Sequence, residues 1–108
     1  MPESSGNQVR LDVKVETEAD GKQIFVESKE ESVEVGLNAA GKGRIEIRKG
    51  KRYRLRWKVV GTPGTSYKIT LTPQTDELII NGKHPVDLKI HQGTTRAGGH
   101  RIFAVVEE

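Results

Sequence analysis

The chain has 108 residues, of which 33% are hydrophobic, and it carries a formal net charge of +3 at pH 7. This length suits one compact domain with a thin core. The absence of cysteine excludes disulfides, thiolate metal sites and cysteine nucleophiles. No run of eighteen apolar residues occurs, so we expect a soluble chain without a membrane-spanning helix.

The positive charge is concentrated in one segment, residues 42–58. This segment holds nine of the 18 Lys and Arg residues and a single acid, Glu46. Residues 1–34 are acidic instead, with nine acids and four bases, and residues 59–108 sum to zero. The basic character is therefore a local patch, which an anionic partner could bind or which the acidic first third could neutralise within the folded sheet.

Alternation of apolar and charged residues predicts the first strands. Residues 1–8 are polar and predict a disordered leader, whereas residues 9–108 predict one ordered domain. Val9 to Glu16 alternate strictly between apolar and charged residues, the pattern of a half-buried strand. Asp20-Gly21 predicts a tight turn before a second strand at 23–27.

The middle of the chain continues in the same way. Residues 27–31 predict a loop, because they offer no apolar stripe to dock a helix. The alternation restarts at Val33 and Val35 and predicts a third strand, and a fourth follows at about 44–48.

Residues 44–72 then predict a three-stranded meander. A three-residue loop at 49–51 would place Ile45 opposite Leu55, so that apolar residues face each other. A five-residue loop at 61–65 would likewise place Trp57 opposite Ile69, again with apolar residues facing each other. Pro63-Gly64 fits the middle of a type II turn, because proline sets the first backbone angle and glycine supplies the positive second one.

The last third predicts three more strands. Residues 78–80 precede an Asn81-Gly82 turn, and alternation resumes at 86–91. A polar, glycine-rich loop at 92–99 leads to a closing strand at 102–106, whose inward face the pattern leaves open. Eight or nine short strands without a helix predict an all-β antiparallel sandwich, with a small β-barrel as the alternative. The aromatic residues all fall in apolar stretches and are predicted to lie in the core: Phe25, Tyr53, Trp57, Tyr67 and Phe103.

Two features resemble the immunoglobulin and fibronectin type III class of sandwich. Trp57 lies in the middle of an alternating strand, and Tyr-Lys-Ile-Thr-Leu-Thr follows the Pro-Gly loop. The cysteine pair and the tyrosine corner of that class are absent. The resemblance implies an immunoglobulin-like architecture and assigns no function to any residue.

The sequence contains no arrangement typical of an active site or a metal centre. His84, His91 and His100 lack the spacing of a metal motif. No Gly-x-Ser-x-Gly elbow is present, and the paired acids fall in turn-like, exposed contexts. We therefore expect a protein without enzymatic activity, cofactor or metal.

The basic meander is the predicted binding face, since its register would bring seven cations to one side of the sheet: Arg44, Arg48, Arg52, Arg54, Arg56, Lys58 and Lys68. Arginine's planar fork suits carboxylate, phosphate and sulfate. The leading hypothesis is a monomeric, non-catalytic interaction or accessory module that contacts an acidic protein through this face. The alternative is a polyanion-binding domain, in which nucleic acid is disfavoured because no aromatic platform shares the basic face. A cationic face that is only solvated, and that keeps sheets from pairing edge to edge, is the third interpretation.

Overall fold

The computed structural model describes residues 8–74 and 77–106. Within these ranges the chain forms nine strands: β1 Gln8–Thr17, β2 Gly21–Glu27, β3 Ser32–Val35, β4 Lys42–Arg48, β5 Tyr53–Val60, β6 Ser66–Pro73, β7 Leu78–Ile80, β8 Val86–Lys89 and β9 Arg96–Val105. Residue 8 begins β1, and the remainder of the predicted leader lies outside the described residues. Over the same ranges, no helix is long and apolar enough to cross a membrane.

The strands form two antiparallel sheets packed as a sandwich, without a closed barrel. The four-stranded sheet has the order β4-β1-β6-β8, and the five-stranded sheet has the order β3-β2-β5-β9-β7. The prediction of an all-β sandwich is confirmed at this level, and the barrel alternative is wrong.

The core lies between the two sheets and follows the predicted alternation. The apolar residues of β1 are buried, as are Leu55, Trp57 and Val59 of β5, whereas the charged residues between them lie on the outer surfaces. Fully buried side chains come from both sheets, including Leu11, Ile24, Leu55, Ile69 and Phe103. The period-two pattern therefore predicted correctly which side of these strands is buried.

The predicted meander of β4, β5 and β6 is wrong. β4 pairs with β1, placing Ile45 opposite Leu11, whereas β5 pairs with β2 and β9, placing Leu55 opposite Val26. β6 returns to the four-stranded sheet, so both loops cross between sheets. Alternation identifies only the buried side of a strand, and both sheets of a sandwich bury the same kind of side.

The type II turn predicted at Pro63-Gly64 is nevertheless present within one of these crossing loops. Gly64 has φ +89°, and the Thr65 N–H donates to the Thr62 carbonyl at 3.1 Å. A positive φ at the second central residue is what a type II turn requires. The turn was predicted correctly, but it leads the chain into the other sheet instead of closing a hairpin.

The tight reversal predicted at Asp20-Gly21 is wrong for the same reason. β1 ends in the four-stranded sheet, and Gly21 is already the first residue of β2, opposite Val60 in the five-stranded sheet. Ala19 is buried between them. The buried methyl group anchors the chain where it passes from one sheet to the other.

The last strand begins earlier than predicted. Arg96–Gly99, assigned to the 92–99 loop by composition, form the first half of β9 and pair with β5. Gly99 lies beneath the Trp57 ring, since a Cβ at Gly99 would be 2.6 Å from Trp57 Cζ2. The glycines therefore belong to a strand that makes room for an indole. Phe103 and Val105 are buried, which identifies the inward face of the strand.

Phe25 does not lie in the core, contrary to prediction. Its neighbours Ile24 and Val26 are buried, so Phe25 points to the outer face of the five-stranded sheet and is half-buried there. Trp57, Tyr67 and Phe103 are buried, and Tyr53 packs against the core, as expected.

Candidate functional site

The structure divides the predicted basic face between two opposite surfaces. The outer face of the four-stranded sheet carries Arg44, Arg48 and Lys68, that of the five-stranded sheet carries Arg54, Arg56 and Lys58, and Arg52 is exposed in the loop before β5. The prediction that all seven residues share one face is wrong. Because β4 and β6 lie in one sheet and β5 in the other, their outward sides point away from each other.

On the outer face of the four-stranded sheet, acids lie opposite many of the cations. Asp12 is opposite Arg44, and Lys68 lies between Glu16 and Asp87 on its two neighbouring strands. Opposite charges at such positions stabilise a sheet and reduce its field. The residues that line a hollow of about 700 Å³ on this side include one acid and three cations: Asp12, Lys14, Lys42 and Arg44. The acidic first third of the chain thus offsets this part of the basic segment.

On the outer face of the five-stranded sheet, one acid lies beside two arginines. Glu27 Oε2 is 3.3 Å from Arg56 Nη2, and Glu27 Oε1 is 4.0 Å from Arg54 Nη1. Both arginine side chains are about half exposed, so each pair contributes only about 0–1 kcal/mol to stability. The two guanidinium groups remain accessible to another anion.

Lys58 and Arg96 on the same face form no ion pair within the described residues. Lys58 lies opposite Gln23 on one side and Gly98 on the other, while Arg96 lies two residues before Gly98 on β9. His100 lies two residues after Gly98, opposite Arg56. These four cationic or titratable side chains therefore surround a residue that has no side chain of its own.

A shallow groove of about 580 Å³ occupies this position. We call it the Gly98 groove; the side chains that line it include Gln23, Phe25, Arg56, Lys58, Arg96 and His100. Gly98 is exposed at its floor. Of the predicted site residues, the groove contains Arg56 and Lys58, and Arg54 lies on the same face.

Phe25 forms an apolar wall of the Gly98 groove. The Arg56 guanidinium carbon lies 4.9 Å from the centroid of the Phe25 ring, a cation–π distance. The Phe25 ring and Glu27 together hold Arg56 along the sheet surface. Sequence reasoning missed Phe25 because an aromatic residue in an apolar stretch was assigned to the core, although buried neighbours on both sides indicate an outward ring.

Arg96, Gly98 and His100 were also missed, because a glycine-rich composition predicted a loop. Had β9 been extended backwards with period two from Phe103, Arg101 and Gly99 would have faced inward and His100, Gly98 and Arg96 outward. Because the predicted strand begins at residue 102, these three positions are assigned by sequence to no common face.

Three titratable groups away from the groove, Glu30, Lys51 and His84, have shifted pKa values. His84 Nε2 accepts the Leu71 N–H at 2.9 Å, and burial lowers the pKa of His84. The Lys51 ammonium donates to Glu30 at 2.6 Å, which lowers the pKa of Glu30 and raises that of Lys51. Among the described residues, no three His, Asp or Glu side chains are grouped so as to hold a metal ion.

Comparisons with protein-family models, curated protein sequences and solved structures return no match. The function proposed for this chain therefore follows from its own surface chemistry. The Gly98 groove combines two cations that form no ion pair within residues 8–74 and 77–106, an outward aromatic ring and an open volume of about 580 Å³.

Proposed function

We propose that this chain is a monomeric, non-catalytic interaction or accessory module that binds an acidic partner protein through the outer face of its five-stranded sheet. The observation that supports this most is that Lys58 and Arg96, at the Gly98 groove beside Arg56 and His100, have no acidic partner among the residues that the structure describes. Uncompensated cations attract an anionic partner and orient it during association. Arg52 and Arg54 extend the positively charged surface towards the start of β5.

We also propose that the chain uses its sandwich in the manner of the immunoglobulin and fibronectin type III class, as a rigid scaffold that presents a binding surface. Two packed sheets and the buried Trp57 on a central strand support this. The proposed likeness concerns architecture and not strand order. β1 and β2 lie in different sheets here, whereas the first two strands of the immunoglobulin constant-type fold are neighbours in one sheet.

A polyanion, either a sulfated polysaccharide or a nucleic acid, is the second candidate partner. Phe25 favours it, because an outward ring beside cations is an arrangement that binds sugars and bases as well as peptides. Glu27 and Glu34 on the same face weigh against a long polyanion, since they would lie under a uniformly charged chain.

The test is retention on immobilised polyglutamate, sulfated dextran and single-stranded DNA across a salt gradient. Two double variants carry the same charge change, one on each outer face: Lys58→Gln with Arg96→Gln, and Arg44→Gln with Lys68→Gln. Trp57 fluorescence checks that each variant is folded. Size-exclusion chromatography checks that the protein is monomeric.

We expect the wild type and the Arg44/Lys68 variant to elute from polyglutamate at similar salt, and the Lys58/Arg96 variant to elute at much lower salt. Equal losses in the two variants would mean that only net charge matters, which would overturn the proposed face. Stronger retention on sulfated dextran or DNA than on polyglutamate, with the same dependence on Lys58 and Arg96, would select the polyanion candidate. Elution of the wild type in the void volume from all three columns would overturn both.

A further inference from the structure

We infer that the Gly98 groove is a site for one phosphate monoester carried by a segment of the acidic partner. This rests on the proposed function and makes it more specific, because it assigns the central contact to a single dianionic group. A row of separate carboxylates would require no such groove. The inference depends on charge balance, on the arrangement of donors and on the absence of a side chain at Gly98.

The charge balance at the groove favours a dianion. Arg56 is compensated by Glu27 at 3.3 Å, whereas Lys58 and Arg96 have no acidic partner within the described residues. Two uncompensated positive charges therefore remain at the groove. A phosphate monoester carries a charge of about −1.5 to −2 at pH 7, whereas a carboxylate carries one negative charge.

The donors surround a single point on the sheet. Lys58 lies directly across from Gly98, and Arg96 and His100 flank it along β9. The Cα atoms of Arg96 and His100 each lie about 6.7 Å from the Cα atom of Gly98, because strand residues two apart are separated by twice the rise per residue. The side chains can thus approach a group above Gly98 from three directions. Phosphate offers three terminal oxygens, so it can accept a hydrogen bond from each direction.

Gly98 leaves the space that this group would occupy. Gly98 is not among the glycines with positive φ, so its backbone conformation does not demand glycine. A Cβ at this position would have one neighbour within 4 Å, the Trp57 carbonyl oxygen at 3.1 Å. A larger side chain would instead project outward between Lys58, Arg96 and His100. The missing side chain is therefore what keeps the centre of the groove open.

The remaining two walls suit the peptide that carries the phosphate. The Phe25 ring offers an apolar surface for methylene groups or a neighbouring side chain of the segment. The Gln23 amide, next to Lys58 on the adjacent strand, can donate to a phosphate oxygen or to a backbone carbonyl. Recognition of phosphorylated, acidic segments by grouped cations is a recurring binding mode.

The experiment is calorimetric titration of the full chain with three peptides that differ only at the central residue. The peptides have acidic flanks and carry phosphoserine, glutamate or serine at the centre. We expect the phosphoserine peptide to bind about ten-fold more tightly than the glutamate peptide, because charge-assisted hydrogen bonds to phosphate replace those to a single carboxylate. Sulfated dextran serves as a competitor and reveals whether a sulfate ester on a sugar takes the site instead.

The deciding variant is Gly98→Val, which fills the groove without changing the charge. We expect it to abolish the preference for phosphoserine over glutamate. The matched control is Gly36→Val, since a Cβ at Gly36 meets nothing within 4 Å and its φ is not positive; it should retain the wild-type preference. If Gly98→Val does not fold, the single variants Lys58→Gln and Arg96→Gln take its place, and each should reduce the preference by several-fold.

The outcomes separate this inference from the proposed function. Equal affinity of the wild type for the phosphoserine and glutamate peptides, or an undiminished preference in Gly98→Val, would overturn the phosphate site while leaving an acidic partner in place. Displacement of the phosphopeptide by sulfated dextran, added at fewer dextran molecules than protein molecules, would overturn the phosphate site in favour of a polysaccharide site. Absence of binding to polyglutamate and to all three peptides would overturn the proposed function itself.

Discussion

The Trp57 indole N–H donates a hydrogen bond to the Tyr67 hydroxyl at 3.1 Å, and this bond joins the two sheets inside the core. Both side chains are buried, with 2% of each residue exposed. Trp57 belongs to β5 in the five-stranded sheet and Tyr67 to β6 in the four-stranded sheet. The indole N–H thus has an acceptor where water does not reach.

Replacing Tyr67 with phenylalanine should destabilise the protein by about 1–3 kcal/mol, because it leaves the buried indole N–H without an acceptor. The free energy of unfolding is measured by urea denaturation. Tyr53→Phe is the matched control, since the Tyr53 hydroxyl accepts the exposed Arg48 N–H at 2.9 Å and water can replace it. A loss in Tyr67→Phe no larger than that in Tyr53→Phe would show that the inter-sheet bond contributes little.

Replacing Gly99 with alanine should destabilise the protein by about 1–3 kcal/mol through overpacking. The added Cβ would lie 2.6 Å from Trp57 Cζ2, so the indole must move. Urea denaturation measures the loss, and a shift in Trp57 emission reports the movement of the ring. Gly36→Ala adds the same methyl group where nothing lies within 4 Å. Unchanged stability and emission in Gly99→Ala would mean that β9 does not lie beneath the indole.

Replacing Glu27 with glutamine should strengthen retention on immobilised polyglutamate. Its carboxylate lies beside both Arg54 and Arg56, so the substitution frees two guanidinium groups on the proposed face. We expect elution at clearly higher salt, with a stability change within about 1 kcal/mol. Glu46→Gln is the control, because it makes the same charge change opposite Arg10 on the other sheet. Equal gains in the two variants would indicate a response to net charge alone.

His84 should make the stability of the protein fall as the pH is lowered. Burial holds the pKa of His84 below its ordinary value of 6.5, so the unfolded chain binds the proton more readily than the folded one. The contribution of neutral His84 is therefore present above pH 6.5 and is lost as the pH falls below it. The urea midpoint, measured between about pH 7.5 and pH 5.5, reports this loss.

His84→Gln should give a shallower dependence on pH, because glutamine can still accept the Leu71 N–H and does not titrate in this range. His91→Gln is the control, since His91 is exposed in a loop, and it should keep the wild-type slope. If His84→Gln and the wild type lose stability in parallel on acidification, other groups account for the effect.

Extended stretches of strict alternation were enough to predict much of the sandwich. Val9 to Glu16 and Leu55 to Val59 bury their apolar residues as predicted, because a strand directs successive side chains to opposite sides. The Pro63-Gly64 turn was also predictable, since its backbone angles depend on the two residues themselves. Arg56 and Lys58 were identified for the same local reason, as the outward residues of one strand.

The Gly98 groove could not be predicted in this way. Its residues come from β2, β5 and β9, which lie far apart in the chain and become neighbours only through pairing. Arg96, Gly98 and His100 have a loop-like composition, and they form a strand by pairing with β5. Phe25 can be recognised as a groove residue only from its outward position, which depends on the register of β2 and not on the hydrophobicity of the ring.

The sequence by itself determined that the chain is an all-β protein with alternating buried and charged sides, because side-chain direction along a strand is a local property. Only the tertiary structure decided which strands are neighbours. Strand pairing depends on long-range packing, and the alternation of apolar residues along a strand is compatible with either sheet. That choice placed Arg44 and Lys68 beside acids on one surface and left Lys58 and Arg96 around Gly98 on the other. A single basic segment of sequence thereby became two faces with different charge balance.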